Sequence, residues 1–117
     1  MAQPFPTYIR SRRRKWALTQ RELGELLGGI SASAISKYET LARTPSIEVM
    51  MAFEIVFGET AHGLFPALSY GVRRAVHGNA TALLDRLAAN TDARSVRKRA
   101  LLDDLITRSQ QDHDGSR

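Results

Sequence analysis

Side chains that can bind an anion are the clearest chemical feature of this sequence. The segment from Arg10 to Lys15 has five Lys or Arg residues in six positions. Lys and Arg total 17 against 12 Asp and Glu, which gives a net charge of +5. Because a small basic protein attracts polyanions, this balance favours a nucleic-acid partner. Six successive residues go round a whole helix, so only part of the segment can face one partner, and the alternative is a solvated helix face.

Metal and catalytic sites find no support in the residue types. The chain has no cysteine, which excludes disulfides, thiolate zinc sites and cysteine nucleophiles and fits a reducing compartment. The histidines share no metal-ligand spacing: His62, His77 and His113. Gly28-Gly29 is not a phosphate-binding loop, because no predicted strand precedes it and no Gly-Lys-Ser/Thr follows. We therefore expect no enzyme, no metal and no cofactor.

Length and hydropathy indicate a small globular protein. At 117 residues, one compact domain with an appended element is expected. Hydrophobic residues make up 43% and charged residues 25%, an ordinary balance for a folded chain. No apolar run approaches the roughly 20 residues of a membrane span, and Met1–Pro6 lacks the apolar core of a signal peptide. The expected location is the cytoplasm, with no membrane contact.

The elements that must position the cations are helices. Helix signals recur in the first half of the chain, whereas the alternation typical of strands is nearly absent. Thr19 and Glu22 have the spacing of a capping box, and a leucine stripe beginning at Leu23 follows it. This pattern predicts a helix over about 20–27 that ends at Gly28-Gly29.

Four other helices are expected around this one, because suitable caps stand at their ends. Ser31 and Ser46 are good N-caps, and Gly58 is a suitable C-terminal stop. The expected elements are a first helix over about 7–16, a third over 32–40, a fourth between Ser46 and Gly58, and a short fifth around Leu64 and Phe65. Trp16 and Tyr38 are expected to pack in the core rather than to stack on bases.

The chain beyond Pro66 predicts a longer helix. Apolar residues recur near helical spacing from Leu68 to Leu87, which favours one helix over about 67–89. Gly71 and Gly78 each cost about 1 kcal/mol relative to Ala inside a helix. A break at Gly78-Asn79 is therefore the alternative.

A last helix is expected near the end of the sequence. Ser95 is suited to cap it, and the polar tail from Ser109 is expected to be frayed. Its first turns carry a second cluster of cations: Arg94, Arg97, Lys98 and Arg99. This cluster either extends a DNA footprint or solubilises the helix.

The helices over 7–65 resemble the phage-repressor-like helix-turn-helix family, also called Xre or Cro-like. The resemblance rests on one run of motif positions: Leu18, Thr19, Gln20, Leu23, Gly24, Leu27, Gly28, Ser31, Ile35, Ser36, Lys37, Tyr38 and Glu39. Thr44-Pro45-Ser46-Ile47 and Leu64-Phe65 match the fourth and fifth helices of that family. It implies an all-α fold with a five-helix, lambda-repressor-like DNA-binding domain over 1–66. Residues 67–117 then form an extension of two or three helices, suited to dimerisation or to a partner.

The resemblance also implies roles for individual residues. In this fold two helices form the DNA-binding motif, here the second helix of the chain, over about 20–27, and the third, over 32–40. The third helix lies in the major groove, and the second crosses the DNA backbone. The face of the third helix away from the core supplies the candidate base-reading residues: Ala32, Ser33, Ser36 and Lys37. Lys37 can reach guanine acceptors or a phosphate, Ser33 can bond a base or a phosphate, and Ala32 can touch a thymine methyl. The candidate phosphate-binding residues are Gln20, Arg21, Ser31, Arg43 and Thr44.

Three further features bear on the resemblance. Arg13 and Glu39 occupy positions that form a buried ion pair in several relatives, which predicts a structural role for both. The chain departs from the family by one additional residue between Gln20 and Ile35, which we place at Gly29 and expect to re-aim the recognition helix. Gly24 stands where the family usually has Ala, and we expect it to be accommodated at some cost in helix propensity.

The function that follows from the resemblance is sequence-specific binding of double-stranded DNA. We expect a transcriptional regulator, acting as a homodimeric repressor. One alternative is an antitoxin-like protein whose C-terminal helices bind a toxin. The other is a protein-interaction module that keeps the helical fold without binding DNA.

Overall fold

The computed structural model describes the backbone of residues 5–115 and the side chains of residues 5–110. Residues 1–4, the His113 side chain and residues 116–117 lie outside this part. Every regular element within it is a helix. The helices are α1 (Ile9–Lys15), α2 (Gln20–Leu26), α3 (Ala32–Thr40), α4 (Ile47–Phe57), α5 (Ala61–Leu64), α6 (Pro66–Leu87) and α7 (Ala93–Gly115). The fold is therefore all-α, with five short helices followed by two long ones, as predicted.

Hydroxyl caps determine where α2 to α5 begin. The side chains of four residues each accept a hydrogen bond from a backbone N–H in the first turn: Thr19, Ser31, Ser46 and Thr60. The capping box between Thr19 and Glu22 is complete in both directions. Gly58 ends α4 in the left-handed conformation, with a φ of 66°. These local bonds explain why the predicted third and fourth helices coincide with α3 and α4.

The core of the first five helices is apolar and closely packed. Its seven buried members come from all five helices and the residue after α5: Ile9, Leu23, Ile35, Tyr38, Phe53, Leu64 and Phe65. The ring of Phe53 makes an edge contact with Tyr38 at 6.2 Å between centroids and a tilted contact with Phe65 at 5.7 Å. The predicted core position of Tyr38 is confirmed.

The prediction that Trp16 packs in the core is wrong. Trp16 lies seven residues after the buried Ile9, a spacing that places both on one helix face only if the helix continues. Helix α1 ends at Lys15, and Ala17 takes a left-handed φ of 58°. Trp16 is consequently 63% exposed, with the ammonium of Lys15 over its ring at 5.3 Å.

The turn between α2 and α3 depends on three glycines. Gly28 and Gly29 have φ values of 98° and 99°, a conformation that side chains with a Cβ rarely adopt. This turn brings the backbone at Ile30 onto Gly24, whose carbonyl oxygen accepts hydrogen bonds from Gly29 N and Ile30 N, each at 3.0 Å. A Cβ at Gly24 would lie 1.9 Å from the carbonyl oxygen of Ile30. This turn therefore requires a glycine at position 24, whereas the sequence indicated only that a glycine would be accommodated there.

The chain divides into two compact units, residues 1–70 and residues 71–117. Helix α6 is continuous through Gly78, so the alternative of a break there is wrong. Nothing lies within 4 Å of a Cβ built on Gly78, and the helix tolerates this residue at the cost in propensity alone. No helix in the described part of the chain is both long and apolar enough to cross a membrane.

The predicted cap of the last helix is wrong by three residues. Asp92 caps α7, because its carboxylate accepts from Ser95 N at 3.1 Å and from Ser95 Oγ at 2.7 Å. Ser95 thus lies in the first turn of α7, where its hydroxyl donates instead of capping. The helix continues past Ser109, where fraying was expected, to Gly115.

Replacing Gly24 with Ala should destabilise the first unit. The added Cβ meets a backbone carbonyl that cannot move without opening the turn, so we expect a loss of about 3 kcal/mol in the free energy of unfolding. Gly78→Ala is the matched control, since its Cβ enters open space and should stabilise α6 by about 1 kcal/mol. Thermal unfolding followed by circular dichroism measures both. Equal stability of Gly24→Ala and the native chain would contradict the close approach at Ile30.

Candidate nucleic-acid interface

Helix α3 presents one apolar face to the core and one polar face to solvent. Ile35 and Tyr38 are buried. Ser33 and Lys37 lie one turn apart and are exposed. Two other candidate base-reading residues, Ala32 and Ser36, are half-buried at the edge of this face. The structure thus brings the four candidates together on one side of one helix.

Glu39 is the acidic residue of α3, and it points inward. Its side chain is 0% exposed. Arg13 Nε donates to Glu39 Oε2 at 2.6 Å, and Gln20 Nε2 donates to Oε1 at 3.0 Å. Arg10 Nε also donates to Oε1, at 3.4 Å. The carboxylate therefore joins α1, α2 and α3 at one point. The positive charges of Arg13 and Arg10 neutralise its negative charge there.

Burial and hydrogen bonding act in opposite directions on this carboxylate. Burial raises the pKa of Glu39, because it disfavours the charged form. The hydrogen bonds from Arg13, Gln20 and Arg10, together with the charge of Arg13, outweigh burial and hold the pKa below its ordinary value. Glu39 is consequently ionised in the folded protein at neutral pH.

The basic segment at the start of the chain is largely used within the fold. Arg13 also donates from Nη1 to the carbonyl oxygen of Leu18 at 3.0 Å, beyond its pair with Glu39. Arg12 pairs with Glu59, through Nε at 2.5 Å and Nη2 at 3.1 Å. This pair holds the pKa of the Glu59 carboxyl below its ordinary value. Of the five cations in this segment, Arg14 and Lys15 are the two whose side chains do not pair with Glu39 or Glu59 in the described structure.

The candidate phosphate-binding residues occupy several environments. Arg21 is exposed and lies 3.6 Å from Glu25 on the same helix. Arg43 follows α3 and stacks its guanidinium over the ring of Tyr38 at 5.8 Å. Thr44 is exposed beside it. Ser31 accepts from Ala34 N at 3.1 Å, which leaves its hydroxyl hydrogen able to donate.

Gln20 has a structural contact that sequence reasoning missed. Its side-chain amide donates to Glu39 in the free protein, so one of its two amide hydrogens is already used. A phosphate contact by Gln20 stays a prediction. The Arg12–Glu59 pair was also missed, since the partners are 47 residues apart and no spacing rule connects them. The contact of Arg10 with Glu39 could have been predicted from the sequence, because Arg10 and Arg13 are three residues apart and share a face of α1.

Replacing Glu39 with Gln should remove much of the acid sensitivity of the first unit. The folded pKa of Glu39 is lower than its unfolded pKa, which is near the ordinary value of 4.5. Its contribution to stability is therefore present above pH 4.5 and lost as the pH falls through the folded pKa. At neutral pH, Glu39→Gln should lower the free energy of unfolding by about 3 kcal/mol, because it leaves buried arginine charge without its partner.

Denaturant unfolding at a series of pH values measures this effect. The free energy of unfolding of Glu39→Gln should fall less steeply with decreasing pH than that of the native chain. Glu25→Gln removes an exposed carboxylate and is the matched control, with an expected change within about 0.5 kcal/mol. Parallel pH curves for Glu39→Gln and the native chain would rule out Glu39 as the source.

Comparison with known proteins identifies this arrangement of helices. Residues 9–64, which run from the start of α1 to the end of α5, match the family described as helix-turn-helix. A search of curated proteins gives no match to the chain, and neither does a search of solved structures. This match, over slightly less than half of the chain, identifies residues 9–64 as a phage-repressor-like (Xre/Cro-like) helix-turn-helix domain, the kind found in DNA-binding transcription regulators.

Proposed function

We propose that this regulator is a dimeric repressor that reads a specific DNA sequence with α3 in the major groove. One observation carries the proposal. The acidic residue of α3, Glu39, is buried among arginine and glutamine donors, so the solvent face of the helix has a lysine and hydroxyl groups but no carboxylate. A surface of this composition is suited to a negatively charged groove that offers hydrogen-bond acceptors.

The residues of this face differ in what they can read. Lys37 is long and exposed, and it suits the O6 and N7 acceptors of guanine. Ser33 is short and can donate to or accept from a base edge, provided that the helix approaches closely. Ala32 offers a methyl group for thymine. Ala32 and Ser36 are half-buried, so their contributions require a closer approach than those of Ser33 and Lys37.

Contacts to phosphate would fix the register of the helix on DNA. Ser31 and Thr44 have hydroxyl groups at the two ends of α3, and Arg43 has a positive charge just after it. Gln20 and Arg21 lie at the start of α2. Such contacts carry no sequence information, but they contribute affinity that falls with salt concentration.

A dimer follows from the size of the reading surface. One helix contacts only a few base pairs, and proteins with this motif bind two half-sites about one helical turn apart. A repressor of this kind acts by occupying its operator, so we propose no catalytic role for the chain.

Selection of genomic fragments by the purified protein at about 150 mM salt tests the proposal. We expect an enriched palindrome with half-sites one helical turn apart. Failure to enrich any fragment over random DNA would overturn sequence-specific binding and favour a protein-interaction module.

Lys37→Ala should weaken binding to the selected sequence by about 1–3 kcal/mol and relax the preference at one base position. Lys15→Ala is the matched control, because it removes an equal charge from α1 and should affect selected and random DNA to the same extent. Fluorescence anisotropy with both DNAs at several salt concentrations measures the difference. An equal loss on both DNAs for Lys37→Ala would make Lys37 a phosphate contact instead of a base-reading residue.

A further inference from the structure

The turn between α6 and α7 concentrates the positive charge of the second unit. Residues 86–99 hold five Lys or Arg and one Asp, which gives a net charge of +4. The rest of residues 71–117 holds four Arg and five Asp, which gives a net charge of −1. A protein is kept soluble by charges of both signs spread over its surface, so solubility does not explain why the cations are grouped here.

Four of the five cations at this turn are exposed and have no ionic partner. They are Arg86, Arg94, Arg97 and Lys98. None of them forms an ion pair or a side-chain hydrogen bond within the part of the chain that the structure describes. The basic segment of α1 differs, because most of its cations pair with Glu39 or Glu59. We call these four residues the basic turn.

The fifth cation, Arg99, holds the turn together. Its Nη1 donates to the carbonyl oxygen of Leu87 at 2.7 Å and also to that of Asn90. On the other side, the carboxylate of Asp92 accepts from the backbone and the hydroxyl of Ser95, which fixes the start of α7. The exposed cations therefore project from an ordered backbone, so a ligand that binds them orders little of the chain.

Three of the four cations share one face of α7. Arg94, Arg97 and Lys98 are spaced by three and four residues, which places them side by side on a helix. Ser95 and Leu102 are buried and mark a different side of the same helix. A single anionic surface can therefore contact all three cations at once.

The order of charges along α7 does not favour the stability of the helix. The N-terminus of a helix has a partial positive charge, which disfavours cations in the first turns and favours anions there. The first turn of α7 has no acidic residue, and Asp92 just ahead of it offsets only part of the cationic charge. The acidic residues of α7 all come later: Asp103, Asp104, Asp112 and Asp114. The position of the cations is thus better explained by an anionic ligand than by helix stability.

We propose that the basic turn is a second DNA-binding site, which contacts phosphates in addition to those bound by the first unit. Three of its four cations are arginine, whose guanidinium matches a phosphate through two parallel N–H donors. The inference rests on the proposed function for one step, the choice of DNA as the polyanion. If the first unit holds DNA, a second site on the same chain meets phosphate at a high effective concentration.

An anionic membrane suits the basic turn less well than DNA does. A helix that binds a lipid surface needs an apolar face beside its cations. The residues between α6 and α7 are small or polar, such as Ala88, Ala89, Asn90 and Thr91. On the cationic face of α7, Leu101 follows as one exposed apolar side chain, which is little area to insert into lipid.

Binding of the full chain to a DNA duplex of random sequence tests the proposal, with fluorescence anisotropy at several salt concentrations. The double variant Arg94→Ala and Arg97→Ala, called the turn variant, should bind about tenfold more weakly at about 150 mM salt. The slope of log K against log salt concentration should fall by about two for each copy bound. The double variant Arg74→Ala and Arg108→Ala is the matched control, since it removes two exposed arginines of the same unit from outside the turn. Its affinity should stay within about twofold of the native value, because salt screens distant charges.

Thermal unfolding followed by circular dichroism separates this effect from a folding defect. The turn variant removes cations from the positive end of α7 and replaces them with alanine, the best helix former. It should therefore unfold at the native temperature or above it, while it binds DNA more weakly.

Several outcomes would overturn the proposal. They are a turn variant that binds random DNA as the native chain does, a native chain that binds no random DNA, and equal losses in the turn variant and the control. The last would reduce the effect to net charge. If the turn variant keeps its DNA binding but loses binding to vesicles that contain phosphatidylserine, the basic turn belongs to a membrane surface instead.

Failure of the proposed function is seen separately, because a random duplex requires no base reading by α3. If fragment selection enriches nothing while the turn variant still binds random DNA more weakly than the control, the proposed function fails and the basic turn stands. If selection recovers a palindrome while the turn variant binds as the native chain does, the basic turn fails alone.

Discussion

The buried carboxylate of Glu39 is the interaction on which the rest of the first unit depends. It accepts hydrogen bonds from Arg13 and Arg10 on α1 and from Gln20 at the start of α2, while its own backbone belongs to α3. The carbonyl oxygen of the same residue accepts from the hydroxyl of Thr7, ahead of α1, at 2.9 Å. A charge in the interior is costly unless every partner is present, so the three helices are held in one arrangement.

This arrangement decides which groups α3 presents to solvent. An exposed carboxylate on the helix would repel a phosphate, and burial of Glu39 leaves the solvent face of α3 without one while it engages Arg10 and Arg13. The orientation of α3 is fixed at its other end by the contact between Gly24 and the carbonyl of Ile30, which leaves no room for a side chain. The left-handed conformation of Gly28 and Gly29 and the absence of a Cβ at Gly24 belong together, because this turn places the carbonyl of Ile30 against Gly24.

Features decided by neighbouring residues could be predicted from the sequence, and features decided by distant ones could not. The cap at Ser31 and the capping box at Thr19 act within one helical turn, so the bounds of α3 and the start of α2 followed from the chain alone. The pair of Arg12 with Glu59 depends on how α1 packs, and no local pattern encodes it. Trp16 lost its core position because α1 ended one residue earlier than the apolar spacing implied. The side of α3 that faces solvent was predictable, because Ile35 and Tyr38 identify the buried side.

The two units divide stability and function unequally. The first has a complete apolar core from which α3 presents its polar face, whereas the second leaves Val72, Val76 and Leu101 44–59% exposed. If the proposed dimer forms, the contact between its two copies also joins two reading helices. Binding of one helix to its half-site then raises the effective concentration of the other at the adjacent half-site. Occupancy of the operator would then depend on how tightly the two copies associate, so weak association would make repression sensitive to the amount of protein in the cell.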